Sequence, residues 1–433
     1  MIWIRLVKLE FKAQRGTADI LPKDQYIWNF VQNKCSEVAK SFGYRYIETP
    51  IFEDSRIFER TVGEDTDIVE KEMYSFIDKG GDNISLRPEN TAGVCRAFIE
   101  NGLYNETLPS RLFYYGPMFR YERPQAGRFR QFHQFGIECI GDSSHDNDFE
   151  VIKLAWNILN NLEINNTELN INSLGDKEDR EVYVSKLIDY FSKYINDLPK
   201  VDKLRLERAP LRLLDSKEKV TINISEDAPK TLDFISKDSK NHHDKIIENL
   251  ENLRETEKNF KYKINDKLVR GLDYYNRTVF EYLSDSSGPQ GVLLGGGRYD
   301  PLIKILGGPD TPAVGFAMGV ERIVTEVNKQ GFIKDNNLDI VIVVLNDEFR
   351  KNAEKTSDLF RKNKISTIIA PRRSLKGQLR FANNMNAKLA VILGEDEIKN
   401  NSITVKFLNS RDSQIELQNE DILKIKSLLT SEE

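Results

Sequence analysis

The sequence predicts a mixed α/β (α+β) fold built from more than one domain, on three observations. Residues 113–138 read as two β-strands joined by an arginine-rich loop, residues 176–262 contain no glycine and favour helix, and from Leu338 apolar strand patterns alternate with helical ones. At 433 residues the chain is long enough for two or three domains, each with its own core.

Taken in order, the first helix spans Pro22 to Phe42. Pro22 suits its opening turn, Gly43 its stop, and Tyr26, Ile27, Phe30, Val31, Val38 and Phe42 form an apolar stripe. Tyr44 to Glu53 then reads as a strand broken at Pro50. This helix and strand serve either as scaffold or as a dimer edge. Residues 56–76 read as a charged loop around Gly63, and Ile84 to Leu86 as a strand. A helix follows from Thr91, whose hydroxyl is suited to cap it. Glu89 just before that helix either favours its positive end or, with Thr91, faces a ligand ammonium.

In the strand pair, alternation puts Phe132, Gln134, Gly136 and Glu138 on one face and Gln131, His133, Phe135 and Ile137 on the other. On the incoming strand Gly116, Met118, Arg120 and Glu122 share a face in the same way. An aromatic plate, an amide, a glycine gap and a carboxylate make a poor core, but they suit the floor of a site for a flat, polar, anionic ligand. Asp148 to Asn161 is helical and Glu168 to Ser173 a strand. The stretch 176–262 carries 18 Lys plus Arg against 19 Asp plus Glu and reads as an inserted helical module.

Sheet patterning returns with a strand expected over Lys267 to Leu283, where Gly271 is placed to bulge it. Gly295 to Gly297 lack both the GKS or GKT ending of a phosphate loop and the GxGxxG spacing, so they read as a tight turn where backbone passes close to a ligand or another strand. A strand runs to Met318 and a helix begins near Gly319, which puts Arg322 in its first turn. The helix dipole disfavours a cation there, and an anionic partner would offset that cost. Residues 329–337 form a linker, and 338–433 a compact α/β unit. Arg372, Arg373 and Lys376, at the turn after Ile369, read as a solvated loop.

A net charge of −5 argues against blanket coating of nucleic acid, so any RNA contact must be local. Cys35, Cys95 and Cys139 are far apart, and only four histidines are present. Neither a disulfide framework nor a fixed metal cluster is expected, and a reducing cytoplasmic setting is. No window reaches the roughly 18–20 apolar residues of a membrane span, and the opening residues lack a signal-peptide pattern. Residues 1–12 carry no reading.

Several separate blocks, in order, resemble the histidyl-tRNA synthetase family of class II aminoacyl-tRNA synthetases. RGTADILP (Arg15 to Pro22) is similar to its N-terminal signature, and the helix 22–42 with Pro50 to motif 1. FRYERPQAGRFRQFHQFGIE (Phe119 to Glu138) resembles motif 2, and GFAMGVERI (Gly315 to Ile323) motif 3. LVRGLDYY (Leu268 to Tyr275) and GGGRYD (Gly295 to Asp300) resemble the histidine-specific blocks. One departure stands at Asn90: the chain reads RPEN where the family often has RPEG, and little effect beyond turn geometry is expected.

The resemblance implies a six-stranded antiparallel sheet flanked by helices (residues 13–175 and 263–328), a helical insertion domain (176–262) and a C-terminal α/β anticodon-binding domain (338–433). It implies a homodimer, with motif 1 as its edge, and ligation of L-histidine to tRNA(His) through a histidyl-adenylate, using ATP and Mg²⁺. Arg120 and Arg270 are the implied catalytic pair at the α-phosphate, with Arg322 and Arg128 toward the γ-phosphate. Glu122 is implied near the adenine amino group and Phe132 beneath the ring. Glu138 and Tyr275 would read the imidazole, Glu89, Thr91 and Gln134 would hold the ammonium and carboxylate end, and Tyr274 and Tyr299 would close the pocket. Arg123 and Gln125 would meet the tRNA acceptor end. Competing readings are an inactive synthetase-like regulatory subunit or tRNA sensor, and a class II synthetase for another amino acid. The LVRGLDYY block opposes both; the C-terminal unit also opposes the first, and GGGRYD the second.

Overall fold

A computed structural model of the chain describes residues 11–63, 66, 68–123, 127–272, 274–284, 291–331, 338–408, 414–418 and 421–430. The chain divides into two compact units, Met1–Phe332 and Ile333–Glu433.

The first unit opens with helix α1 (Pro22–Ser41), which buries Ile27, Val31, Cys35 and Val38 along one face. Strands β1 (Arg45–Tyr46) and β2 (Phe52–Asp54) lie on either side of Pro50. The stretch read as a loop over 56–76 holds more structure than expected. Helix α2 (Ser55–Val62) starts where the Asp54 carboxylate accepts the Arg56 N–H, a π-helical turn spans Ile68–Glu72, and β3 is Tyr74–Ile77. Its high charge hides a helix whose buried Phe58 anchors it. Next come β4 (Asn83–Leu86), α3 (Thr91–Glu100), β5 (Ser110–Phe119), β6 (Gln131–Ile140), α4 (His145–Asn161) and β7 (Thr167–Ser173). Helices α5 (Lys177–Ser192), α6 (Lys200–Arg208), α7 (Lys219–Ile224) and α8 (Lys237–Thr256) follow, then β8 (Tyr262–Ile264). The unit ends with β9 (Asn276–Ser284), β10 (Val292–Arg298), α9 (Leu302–Ile305), β11 (Ala313–Gly319) and α10 (Val320–Lys329).

The main sheet has the order β1-β5-β6-β11-β10-β9-β7-β8. Its six inner strands are antiparallel, and β1 and β8 add short parallel pairings at the two edges. The strand expected from Lys267 begins only at Asn276, so the alternation of Arg270, Leu272 and Tyr274 does not apply. That segment is irregular because its side chains wrap over the sheet rather than along it.

The sheet has two different faces. One packs α1, α4 and α10 through Val31, Phe135, Ile137, Leu154, Phe280 and Ile323. The other carries Leu112, Tyr114, Met118, Val279 and Tyr299 beneath α3 and the 268–275 segment. Within residues 176–262, α5 and α6 share a small core of Tyr183, Leu187, Phe191 and Leu206. Helix α8 instead sends Ile246, Leu250 and Leu253 into the main core.

The second unit is a five-stranded sheet ordered β13-β12-β14-β15-β16. Its strands are β12 (Ile340–Val344), β13 (Thr367–Ile369), β14 (Leu389–Leu393), β15 (Ser402–Phe407) and β16 (Gln414–Gln418). They are buried on both faces at β12 and β14, as apolar runs such as DIVIVVL require when helices cover a parallel sheet. Those helices are α11 (Arg350–Lys362), α12 (Leu375–Asn384), α13 (Glu395–Asn400) and α14 (Ile422–Thr430).

Candidate active site

A cavity of about 170 Å³ opens over the β6, β11 and β10 end of the main sheet. Arg120, Glu122, Arg128, Phe132, Gln134, Arg270 and Arg322 all line it, from three segments far apart in sequence. Each is held by a separate device. The Arg120 Nε–H donates to the Pro88 carbonyl at 2.8 Å, and its guanidinium lies 5.2 Å from the Phe132 ring centre. Arg128 pairs with Glu122 at 3.1 Å. Arg322 leaves the third position of α10 and donates to the Val292 carbonyl at 2.5 Å.

Arg270 pairs closely with Glu281 of β9. Gly295 lies opposite Glu281 in the register, and an added Cβ there would come 2.6 Å from the Arg270 Nη1. The first of the three glycines therefore clears space for a guanidinium. The tight turn expected there is instead the middle of β10, and the close approach takes this form: Gly296 and Gly297 meet neighbouring strand backbone, while Gly295 meets the Arg270 side chain.

Charge in the cavity is unbalanced. Four arginines face two lining carboxylates, Glu122 and Glu321, with Glu281 paired to Arg270 as a third. Both Glu321 oxygens are already occupied by the His133 backbone N–H at 2.8 and 3.0 Å. Burial, and then the charges of Arg128 and Arg120, lower the pKa of Arg322. Among the described residues Gln134 Oε1 and Arg270 Nε are buried with no hydrogen-bond partner. Such groups are costly to bury unpaired, and a polyanionic, polar ligand would satisfy both features at once.

A second cluster adjoins the first through Arg270, whose guanidinium lies 5.9 Å from the Tyr275 ring centre. Tyr275, Tyr274 and Tyr299 pack with centroids 4.6 and 5.6 Å apart along the series, and all three are buried. The Tyr299 hydroxyl makes a close hydrogen bond to Glu138 Oε2, and the Thr91 hydroxyl donates to Oε1 at 2.8 Å. Burial pushes the Glu138 carboxyl up to about 8, against the pull of those two donors. Gly315, opposite Glu138 in the register, leaves the room that this carboxylate fills.

Two expectations are corrected here. Thr91 does not cap α3, because its hydroxyl is turned to Glu138. Glu89 does so instead, accepting the N–H groups of Thr91 at 2.7 Å and Ala92 at 3.0 Å. A carboxylate reaches further than a hydroxyl and suits the positive helix end better. Burial still raises the Glu89 pKa, more than those bonds lower it. The gap expected at Gly136 is not open to a ligand, because the Tyr114 phenol of the neighbouring strand occupies it. Met118 is fully buried beneath the floor.

Of the remaining candidates, Arg123 is exposed and does not line the cavity, and Gln125 lies outside the described residues. Glu281 carries a weak sequence signal, a carboxylate alternating with Val279 on the face opposite the core residues Phe280 and Tyr282. Glu321 sits beside Arg322 in the sequence and fastens α10 to β6. Among the described residues no group of three or more His, Cys, Asp or Glu side chains gathers as a metal site, and Glu122 and Glu281 are each engaged by arginine.

A family model described as histidyl-tRNA synthetase matches residues 16–175 and 207–323, and one described as anticodon binding domain matches 339–426. The chain is 42% identical over 406 residues to the histidine–tRNA ligase of Dictyoglomus thermophilum, covering 93% of this chain and 96% of that one. It is 44% identical over 422 residues to the chloroplastic histidine–tRNA ligase of Porphyra purpurea, covering 97% and 96%. The apo S. aureus histidyl-tRNA synthetase superimposes with a TM-score of 0.79 at 34% identity, over 97% of this chain and all of that one.

Proposed function

Because the chain belongs to the histidyl-tRNA synthetase family, we propose that it ligates L-histidine to tRNA(His) in an ATP-dependent reaction that passes through a histidyl-adenylate. The observation that carries this is the convergence of Arg120, Arg270 and Arg322 on one cavity beside the Glu138–Tyr299 cluster. In the first step the histidine carboxylate attacks the α-phosphorus of ATP and pyrophosphate leaves. In the second a terminal ribose hydroxyl of the tRNA takes the histidyl group and AMP leaves.

Such chemistry needs positioned cations on charged oxygens more than a protein nucleophile. Arg120 and Arg270 serve the α-phosphate, with Arg128 and Arg322 toward the γ-phosphate. Phe132, held under the Arg120 guanidinium, supports the adenine ring, and Glu122 accepts from its amino group. Mg²⁺ enters as part of the nucleotide substrate.

At the amino-acid end Glu138 keeps hydrogen-bonding capacity after Thr91 and Tyr299: further acceptor sites on both oxygens when ionised, and one O–H donor beside the remaining acceptor sites when its raised pKa keeps it protonated. Tyr275 serves the second imidazole nitrogen, and Gln134, with a free buried oxygen, holds the ammonium end with Glu89 and Thr91. A pocket of paired polar groups rejects apolar isosteres because they leave those groups unsatisfied.

Arg123 and Gln125 meet the acceptor end of the tRNA, and the C-terminal unit meets the anticodon. Dimerisation through the motif 1 edge is supported by Tyr46, Ile51, Phe52, Phe76 and Ile77, which are large, apolar and exposed. Three free, buried cysteines favour a reducing, cytoplasmic setting, and among the described residues no helix is long and apolar enough to cross a membrane. The test is ATP–pyrophosphate exchange across the twenty amino acids. Exchange is expected with histidine alone and lost in Glu138→Ala; exchange driven by another amino acid, or survival of the activity in that variant, would overturn the assignment.

A further inference from the structure

The turn that carries Glu89 and Thr91 is fastened through a side chain that the reaction itself does not use. Asn90 is 1% exposed, and its Oδ1 accepts the Thr49 hydroxyl at 2.6 Å and the Arg87 Nη1 at 3.4 Å. Arg87 in turn donates to the Thr49 carbonyl at 2.9 Å and to the Pro117 carbonyl at 2.9 Å. Gly116 leaves the space that this guanidinium fills. The backbone of Asn90 (φ −119°) lies in a region open to any residue, so a glycine has no conformational advantage there. The carboxamide thus joins three separate pieces of chain: the Thr49–Pro50 edge, the 87–91 turn and the end of β5 that leads to Arg120.

We propose that Asn90 is a positioning residue for the amino-acid end of the site, setting histidine affinity by locking the Glu89–Thr91 turn to Thr49. The inference rests on the histidine-ligating reading above. Nothing in it requires Asn90 to touch the substrate. Its carboxamide orders the turn so that the Thr91 hydroxyl already points at Glu138 before histidine arrives, which removes an ordering cost from binding. None of Thr49, Arg87 and Asn90 lines the nucleotide cavity, and the turn reaches it through one contact, the Pro88 carbonyl that accepts from Arg120, so the larger effect is expected on the amino acid and the smaller on ATP.

The experiment is pyrophosphate exchange on the full chain with Asn90→Gly, Thr49→Val and the double variant, alongside thermal melts. Asn90→Gly is expected to raise the KM for histidine about tenfold, the order of one buried hydrogen bond, with the KM for ATP and kcat within about twofold. Thr49→Val keeps the shape of the residue and is expected to do the same; it carries the test should Asn90→Gly fail to accumulate. The double variant is expected to fall short of the product of the two single effects, because both remove the Thr49–Asn90 bond and each also removes one contact of the same Arg87 Nη1. An unchanged histidine KM, equal shifts for ATP and histidine, or multiplying effects in the double variant would each overturn the proposal. Absence of histidine-dependent exchange in the unaltered protein would instead overturn the function it rests on.

Discussion

Alanine at Gly295 separates function from folding in a way the geometry makes quantitative. Its Cβ would lie 2.6 Å from the Arg270 Nη1 and 2.8 Å from Cζ and Nη2. Ordinary heavy-atom contact is about 3.5 Å, so the guanidinium must withdraw by somewhat under about 1 Å. The Arg270 side chain is 19% exposed and flexible, so the fold absorbs this through a weakened Glu281 pair, at about 1 kcal/mol. Catalysis does not absorb it. A 1 Å displacement of a charge aimed at a reacting phosphate is worth about 100-fold in rate, or about 2.7 kcal/mol. The neighbouring glycine supplies the control, because a Cβ at Gly296 would run into the Gly315 carbonyl and the Phe316 backbone, neither of which can swing aside. Overpacking of that kind costs several kcal/mol and removes the folded protein. Histidine-dependent pyrophosphate exchange, read beside urea unfolding, is the assay. Gly295→Ala is expected to unfold near the unaltered midpoint with kcat about 100-fold lower, and Gly296→Ala to fail to fold. Unaltered exchange in Gly295→Ala, or a loss that tracks its unfolding, would refute the reasoning.

Three further outcomes follow from the same geometry. The Glu138 carboxyl is raised by burial from its ordinary 4.5 to about 8, so the folded state holds a proton that the unfolded chain has released. Stability therefore falls as pH rises between those values, by up to about 1.4 kcal/mol per pH unit. Urea midpoints from pH 5 to 8 should show that slope in the unaltered protein and a shallower one in Glu138→Gln; parallel curves would show that Glu138 is ionised throughout. Arg298 is fully buried and holds the equally buried Asp148, with Asp300 at 3.0 Å and the Ser144 carbonyl at 3.1 Å. Arg298→Met strands that carboxylate beside His242 alone and should cost about 3–5 kcal/mol in urea unfolding. Removing residues 338–433 should reduce tRNA charging far more than pyrophosphate exchange, and equal losses would contradict an anticodon role for that unit.

What the sequence disclosed depended on whether the information was local. The period-2 pattern of 131–140 and the Pro22-to-Gly43 helix were readable because strand and helix periodicity sort residues by face. Of the short edge strands, β1 fell inside the strand read over Tyr44 to Glu53, while the three residues of β8 hold no period. The 268–275 segment looked like a strand because its apolar and aromatic residues suit one, yet they pack over the sheet from an irregular path. Helix α2 was obscured by charges on its exposed side. In the site, the arginines were named through the resemblance of motifs 2 and 3 and of LVRGLDYY to the family's blocks. The partners that aim them were not, because Glu281, Glu321 and the Pro88 carbonyl meet their arginines or strands only after the sheet has formed. Asn90 looked like a minor change of turn for the same reason: Thr49 lies 41 residues away.

The pairing of glycine with a polar or bulky neighbour recurs on the working face of the sheet: Gly116 with Arg87, Gly136 with Tyr114, Gly295 with Arg270, and Gly315 with Glu138. Each is a lock of two halves, so a larger residue in the empty half is blocked until the filled half shrinks, and at Gly315 the Ile137 carbonyl blocks it even then. A mutation that reshapes the pocket one codon at a time therefore passes through a damaged intermediate at all four points. For a small-molecule competitor of histidine or ATP that fills this face, escape variants should be scarce there and should map instead to the rim, where no such interdependence restrains them.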